Sequence, residues 1–509
     1  MTNQEQGLKR ELNARQMAMV AVGGSIGTGL LLGSGAAIQV AGPAVVISFL
    51  ISALISWTVA MAMGEMSAVH PAAGSFGVYA ELYLNRWAGF VARYGYWFSV
   101  VIAIGSELVA AGTYMRIWFP NVPVVLWMVV FGVFLLAINL FSVGHYGTFE
   151  YWFALIKVVT IFVFILIGAA LLAGGRVHAQ YVSNGGFAPN GWSASLMAVS
   201  FGLYSFLGIE MVAISSGEAR SGAEVARATR LAFTTLTFVY VGAMAVLVGV
   251  MPWRSAGVTE SPFVTVFKVA HVPAAGFIMN FVVLTAALSG ANASLYVTSR
   301  MLFSLARSGY APKRMGVLNH HGVPMGALLA SMLGIVAAIL LELRTANAYL
   351  YIINAALVGG MIAWLVSLLA HVRFRRTVSS QQLAQLGLRS PLGAFGSVLG
   401  FIAVVAAIAG TWWVSQSSVA AKSAVFYLII LSAAYALVQR RSPETQRKGV
   451  SGGKRVSGCN FVIEYFAIER PGRPGRVLKL PNYQITQLPT SAYSALAAPT
   501  AGFALPATT

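Results

Sequence analysis

The sequence predicts an all-α polytopic membrane protein with twelve transmembrane helices. Three observations predict it. First, the 509 residues are 58% hydrophobic and only 9% charged, with a mean hydropathy of +0.76, whereas a soluble domain carries about 25% charged residues. Second, apolar stretches of about 20 residues recur along the chain, the length needed to span a hydrocarbon core about 30 Å thick. Third, Lys and Arg segregate to one side of the resulting threading.

Twelve such stretches lie near 17–38, 44–68, 91–118, 124–143, 151–174, 195–217, 231–252, 272–302, 325–343, 348–370, 396–415 and 423–440. The third and eighth are long enough to tilt. Residues 1–16 are polar, and no small-residue cleavage site closes a short apolar run. The first helix is therefore expected to act as an uncleaved signal. With the N-terminus in the cytoplasm, 26 of the 33 Lys and Arg fall on the cytoplasmic side. Six fall outside, namely Arg116, Arg176, Arg254, Lys268, Arg344 and Lys422, and one, Lys157, lies within a helix. Both termini are thus expected in the cytoplasm. The net charge of +19 reads as topology and surface charge, not as a nucleic-acid footprint. The single cysteine, Cys459, excludes an intrachain disulfide.

Residues 1–16 are read as a cytoplasmic N-terminus, 17–440 as the transmembrane domain and 441–509 as a cytoplasmic tail. Six of the eighteen prolines fall within 449–509, with mixed polarity and no apolar span. Little fixed structure is expected there, and no function is assigned to it.

The first apolar segment contains VAVGGSIGTGLLLGSG (20–35), six glycines in sixteen residues. Each interior glycine costs a helix about 1 kcal/mol against alanine. One explanation is close helix packing, since Gly29 and Gly33 form a GxxxG pair. The sixth segment offers another. It reads SFGLYSFLGIEMVAISSG (200–217), with Ser205, Gly208 and Glu210 near its centre. A carboxylate at that depth implies a cavity or a paired charge. Helix 1 enters from the cytoplasm and helix 6 from outside. Interrupted helices at matching positions of two oppositely oriented halves mark an inverted-repeat transporter. Unwound backbone at membrane depth is tolerated only where it lines a cavity. There, amides at a half-helix start favour an anion, and carbonyls at a half-helix end favour an ammonium. Two such breaks meet the needs of a zwitterion.

Three further charges stand out. Glu107, in IAIGSELVAAG (102–112), lies about 21 Å along its helix from Arg93 and about 14 Å from Arg116, too deep to reach water. It is a functional candidate, with a structural ion pair as the alternative. Lys157 lies six residues past Tyr151, about 9 Å into its helix, where snorkelling to the surface is a competing reading. Glu65 is read as structural or gating. Ser289 is a weaker candidate for lining the site. The seven histidines show no metal-ligand spacing, and GGSIGTG lacks the strand and lysine of a nucleotide loop. No metal, cofactor or enzymatic chemistry is expected. No ATPase module is present in the sequence, so energy must come from an ion gradient or from exchange.

LKRELNARQMAMVAVGGSIGTGLLLGSG (8–35), AGPAVVISFL (41–50), MGEMSAVHPAAGSFGVYAE (63–81), EYWFALIK (150–157), YSFLGIEMVAISSGEA (204–219) and ASLYVTSRMLFSLARSGYAPK (293–313) occur in order. Together they resemble the amino acid permeases of the amino acid–polyamine–organocation superfamily, in the bacterial and fungal branch, over roughly residues 8–440. The resemblance implies a five-plus-five inverted repeat with broken helices 1 and 6 and two C-terminal helices. It implies that the backbone around Ser25, Ile26, Gly27, Thr28 and Gly29 receives a substrate carboxylate. It implies that carbonyls near Ile26, Tyr204, Ser205 and Phe206 receive the ammonium, and that Gly208 frees the helix 6 break. Tyr204 and Phe206 as plain packing aromatics are the rival reading. Glu107 would then face the central site. Lys157 would place its ammonium against the helix 1 break, where related carriers hold sodium. An ammonium kept from water can release and regain its proton, so Lys157 is the coupling candidate, with Glu210 as an alternative or additional carrier. Residues 218–230 and the loop after helix 10 depart from the family's usual sequence.

The combined expectation is a secondary active importer of amino acids in the bacterial cytoplasmic membrane, coupled to protons and working by alternating access. A neutral substrate is favoured because the expected linings carry few charges. An exchanger on the same fold is the alternative, and a non-transporting amino acid sensor is a more distant one.

Overall fold

The computed structural model describes residues 12–71, 75–141, 146–175, 178–269, 273–319, 323–378, 381, 387–411 and 418–441. The proposed tail, with Cys459, falls outside these apart from Arg441. Eighteen α-helices account for most of the described chain. In order they are α1 (Ala14–Ser25), α2 (Thr28–Leu31), α3 (Gly33–Ala41), α4 (Val45–Val69), α5 (Ser75–Tyr83), α6 (Arg86–Met115), α7 (Val124–Phe141), α8 (Tyr146–Ala173), α9 (Gly191–Met197), α10 (Val199–Phe206), α11 (Met211–Ile214) and α12 (Gly222–Val250). There follow α13 (Pro262–Val269), α14 (Pro273–Arg307), α15 (Met325–Glu342), α16 (Ala348–Thr377), α17 (Gly393–Gly410) and α18 (Ser418–Arg441). Among the described residues the sole β feature is an isolated bridge, Leu12 to Ala219. Nine segments among them are long and apolar enough to cross a membrane.

Two apolar segments are visibly interrupted. The first divides into α1, α2 and α3, and the sixth into α9, α10 and α11. They are the glycine-rich first segment and the Gly208–Glu210 segment of the sequence reading.

Caps explain where several helices start earlier than hydropathy alone predicts. α1 begins at Ala14, because Asn13 and Gln16 form a reciprocal capping box. Its first turn therefore lies within the stretch assigned to the N-terminal arm. α6 begins at Arg86, capped by the Asn85 side chain. Residues 218–230 are not a loop throughout: Ser221 caps α12, and everything from Gly222 onward is helix. α8 begins at Tyr146. Lys157 is thus eleven residues into its helix, about 16 Å from its start, not about 9 Å. Between α4 and α6, the short helix α5 packs against α6 and α16.

The apolar exterior is what a bilayer requires. On α8, Trp152, Phe153, Ile156, Val159, Phe162, Val163, Leu166 and Ile167 are exposed, while Ala154, Lys157, Ile161 and Phe164 are buried. The buried set follows helical spacing. The pattern is the reverse of a soluble helix: large apolar groups face out and the lysine faces in.

Glu65 is fully buried. Its carboxylate meets Arg375 of α16 through Nε–Oε2 at 2.8 Å and Nη2–Oε1 at 2.7 Å. His371 Nε2 lies 2.5 Å from Oε2, and His371 Nδ1 lies 2.7 Å from Ser397 Oγ of α17. One carboxylate therefore ties α4 to α16 and, through His371, to α17. Of the two readings of Glu65, this geometry supports the structural one.

Candidate functional site

The break in the first segment falls at Ile26 and Gly27. Ile26 leaves the helical region with ψ at 85°, and Gly27 is extended at φ −130°, ψ −153°. Helix ends leave carbonyls and amides without partners inside the helix. Here the rest of the protein supplies them. Lys157 Nζ donates to the Gly23 carbonyl at 2.8 Å, in the last turn of α1. Lys157 is only 3% exposed and does not snorkel. Its charge meets the negative end of a half-helix. On the other side of the break, the Thr28 N–H donates to Glu107, 3.1 Å from Oε1 and 3.3 Å from Oε2. A carboxylate from α6 therefore holds the amide that opens α2. Tyr349 Oη of α16 donates to the Thr28 carbonyl at 2.7 Å.

The second break falls between Phe206 and Met211. Leu207 is extended at ψ 134°. Gly208 has φ +113°, a conformation L side chains rarely adopt. Glu210 folds back so that its Oε1 accepts the Gly208 N–H at 2.9 Å. Trp364 Nε1 of α16 donates to the other carboxylate oxygen at 3.1 Å. The two breaks also touch each other. A β-carbon on Gly208 would lie 2.6 Å from Ser25 Oγ and 2.9 Å from Ser25 N. One on Gly29 would lie 3.0 to 3.2 Å from Tyr204 and Ser205. A side chain on Gly24 would collide with Met211, and one on Gly27 with Glu107. Tyr240 Oη of α12 bridges both breaks, lying 2.7 Å from the Ser25 carbonyl and 2.8 Å from the Ser205 carbonyl, with one proton to share between them. The glycines thus serve packing and unwinding together, and the two explanations of the glycine run are one.

Between the breaks lies a buried cavity of about 50 Å³. Its lining includes Ser25, Gly27, Gly29, Glu107, Tyr204, Gly208 and Glu210 from the sequence-derived set. Ile26, Thr28, Ser205 and Phe206 do not line it. Ser205 Oγ bonds back to the Phe201 carbonyl, and the Phe206 ring packs on Tyr240 at 4.8 Å. Of the carbonyls named for the ammonium, that of Tyr204 takes the Leu207 N–H, that of Phe206 the Ile209 N–H and that of Ser205 the Tyr240 hydroxyl. Lys157 lies behind the break, on Gly23, rather than in the lining. On α14, Ser294 reaches the cavity and Ser289 does not. Among the described residues, Ser25 Oγ is buried without a hydrogen-bond partner.

Sequence reasoning missed Tyr96, Ser99, Val100 and Ala103, which line the cavity with Glu107. Their spacing from Glu107 was a usable signal: positions 96, 99, 100, 103 and 107 share one helical face. Tyr240, Tyr349 and Trp364 were also missed. They are aromatic residues in a chain with 12% aromatics and carry no distinguishing local pattern.

An all-helical bundle with an apolar exterior, two broken helices and a buried polar cavity between them defines a broken-helix membrane transporter. Residues 16–442 match the amino acid permease family, and the chain belongs to it. It is 38% identical over 412 residues to the gamma-aminobutyric acid permease of Bacillus subtilis (strain 168), covering 79% of this chain and 88% of that protein. It is 36% identical over 416 residues to the aromatic amino acid transport protein AroP of Escherichia coli (strain K12), covering 80% and 91%. Among solved structures, a manganese transporter of Eremococcus coleocola superposes with a TM-score of 0.58 over 88% of this chain and 99% of that one, at 13% identity. That likeness is one of fold. Among the described residues, no group of three or more His, Cys, Asp or Glu is placed to hold a metal. The protein is a multi-pass membrane transporter of the amino acid permease family and not an enzyme.

Proposed function

We propose that the protein imports amino acids across the bacterial cytoplasmic membrane by proton symport, through alternating access around the cavity between the two breaks. Both termini then lie in the cytoplasm, as the Lys and Arg distribution favours. The observation that carries the coupling is the Lys157 ammonium on the Gly23 carbonyl, buried at the negative end of a half-helix. A fixed ammonium there supplies a positive charge that can be gained and lost as a proton.

The substrate carboxylate takes the amides around Ser25–Gly29, displacing Glu107 from Thr28. The substrate ammonium takes carbonyls at the ends of α1 and α10. Once displaced, Glu107 is free to support the charge on Lys157, which sits on the other side of the same break. Substrate binding then favours the protonated lysine, and by linkage the proton favours the substrate. Glu210 is a second candidate proton carrier. The cavity is far below the roughly 300–1,000 Å³ of a ligand pocket, so substrate entry requires the breaks to move apart, as alternating access demands. Apart from Glu107 and Glu210, the lining is uncharged, which fits a neutral side chain. The relatives' names, one for gamma-aminobutyric acid and one for aromatic amino acids, fit the same class.

The test is uptake of labelled amino acids into proteoliposomes under an inward proton gradient. Accumulation of one group, abolished by a protonophore and reduced at least tenfold in Lys157→Ala, is expected. Full proton-driven accumulation by Lys157→Ala would overturn the role of the lysine. Uptake only into vesicles preloaded with amino acid would mean exchange.

A further inference from the structure

Away from the central cavity, an open cleft of about 450 Å³ lies where α16 ends and α17 begins. It is lined by Arg375, Arg389, Ser390, Pro391, Leu392 and Gly393. We propose that this cleft binds a phosphate anion, supplied by the headgroup of an anionic phospholipid at the cytoplasmic face.

The first support is how Arg375 is held. A guanidinium has five N–H donors in a rigid fork and stays charged. Glu65 fixes its Nε and Nη2 edge, and Nη2 also donates to the Ser390 carbonyl at 3.1 Å. Nη1 is turned to the start of α17, where a β-carbon on Gly393 would sit 3.5 Å from it. Among the described residues Nη1 has no partner. Its two N–H groups therefore face the cleft with their orientation already fixed. The second support is the second guanidinium, the exposed Arg389, in the segment that leads into α17. Among the described residues no acid lines the cleft, and Glu65, behind Arg375, is the acid paired with this charge. The third is position. Arg373 and Arg376 are exposed beside it on the same helix end, the end that the charge distribution assigns to the cytoplasm. Basic pockets between membrane helices on that side suit anionic headgroups, and paired guanidinium groups suit phosphate oxygens. Leu392, which precedes α17, offers no side-chain cap, and the Gly393 N–H is taken by the Ser390 carbonyl at 3.1 Å, so the helix start adds little beyond the two guanidinium groups.

The consequence is a link between lipid and scaffold. The arginine that would hold the phosphate is also the partner of Glu65, which ties α4, α16 and α17 together. The inference does not depend on the coupling mechanism and can fail while transport stands.

The protein in nanodiscs of phosphatidylcholine with a minor fraction of phosphatidylglycerol would be compared with Arg389→Ala and with Arg314→Ala, another exposed arginine on the same side. Retained phosphatidylglycerol would be counted by native mass spectrometry. Removing one arginine near an anionic surface costs about fivefold in binding. Arg389→Ala is expected to retain about fivefold less phosphatidylglycerol, with Arg314→Ala unchanged and uptake in pure phosphatidylcholine unchanged in both. Displacement of phosphatidylglycerol by millimolar inorganic phosphate, together with phosphate binding to the protein in pure phosphatidylcholine, would keep the anion site and assign it to soluble phosphate. Equal retention by Arg389→Ala and the unaltered protein, with no phosphate binding, would overturn the proposal.

Discussion

The two breaks solve one problem in opposite ways. At the second, a side chain of the break itself closes the gap: Glu210 caps the Gly208 amide two residues away, and Trp364 and Tyr240 add support from α16 and α12. At the first, the local closure is a single backbone bond, Gly27 N–H to the Ser25 carbonyl at 3.0 Å, and the side chains that cap it come from elsewhere. The lysine comes from α8, the carboxylate from α6 and the hydroxyls from α12 and α16. A self-capped break is rigid scaffold. A break capped by groups remote in sequence can exchange a partner for a ligand without unfolding its own turn. Under the proposed function, the difference makes the first break the one that trades a protein partner, Glu107, for the substrate carboxylate.

The largest test of this contrast is Gly208→Ala. A β-carbon there meets both a φ of +113° and the Ser25 backbone. Strain at such a position costs about 1–3 kcal/mol, and overpacking costs a further 1–3 kcal/mol or so. Uptake is expected to fall below a tenth, with a lowered melting temperature in detergent. Normal uptake and stability would remove the contact between the breaks from the account.

The carboxylates sharpen the comparison. Glu210→Gln turns an amide group toward either Trp364 or Gly208, both donors, leaving a buried donor unpaired at a cost of about 1–3 kcal/mol. It is expected to lower the melting temperature by several degrees while KM stays within about threefold. Glu107→Gln weakens the group that competes with the substrate for Thr28. It is expected to lower KM about tenfold, the scale of one charge-assisted hydrogen bond, with the melting temperature nearly unchanged. If the two variants exchange these effects, the roles of the breaks are reversed. The smallest effect belongs to Tyr349→Phe, which removes one donor from the Thr28 carbonyl. It costs about 1 kcal/mol, seen as a KM change of about fivefold without loss of accumulation.

Much of this was legible in the sequence because of what a membrane makes rare. Charges inside apolar segments are costly, so Glu107, Lys157 and Glu210 stood out singly, and the structure sets each at a helix break. Six glycines in one apolar segment stood out for the same reason. The helix 3 face was legible by spacing from Glu107. What stayed hidden was pairing at long range. Glu65 and His371 are 306 residues apart, and nothing local marks either as the other's partner. Tyr240, Tyr349 and Trp364 look like any aromatic in a lipid-facing helix until the backbone groups they serve are seen. Ser289 was named and Ser294 was not, because the phase of a 35-residue helix, α14, has no local marker.

The most direct measurement is the structure of the protein with a transported amino acid bound. The account predicts the ligand carboxylate on the Thr28 N–H, with Glu107 moved off it and the Gly208–Glu210 hydrogen bond intact. A ligand carboxylate seated at Gly208 with Glu107 still on Thr28 would contradict it.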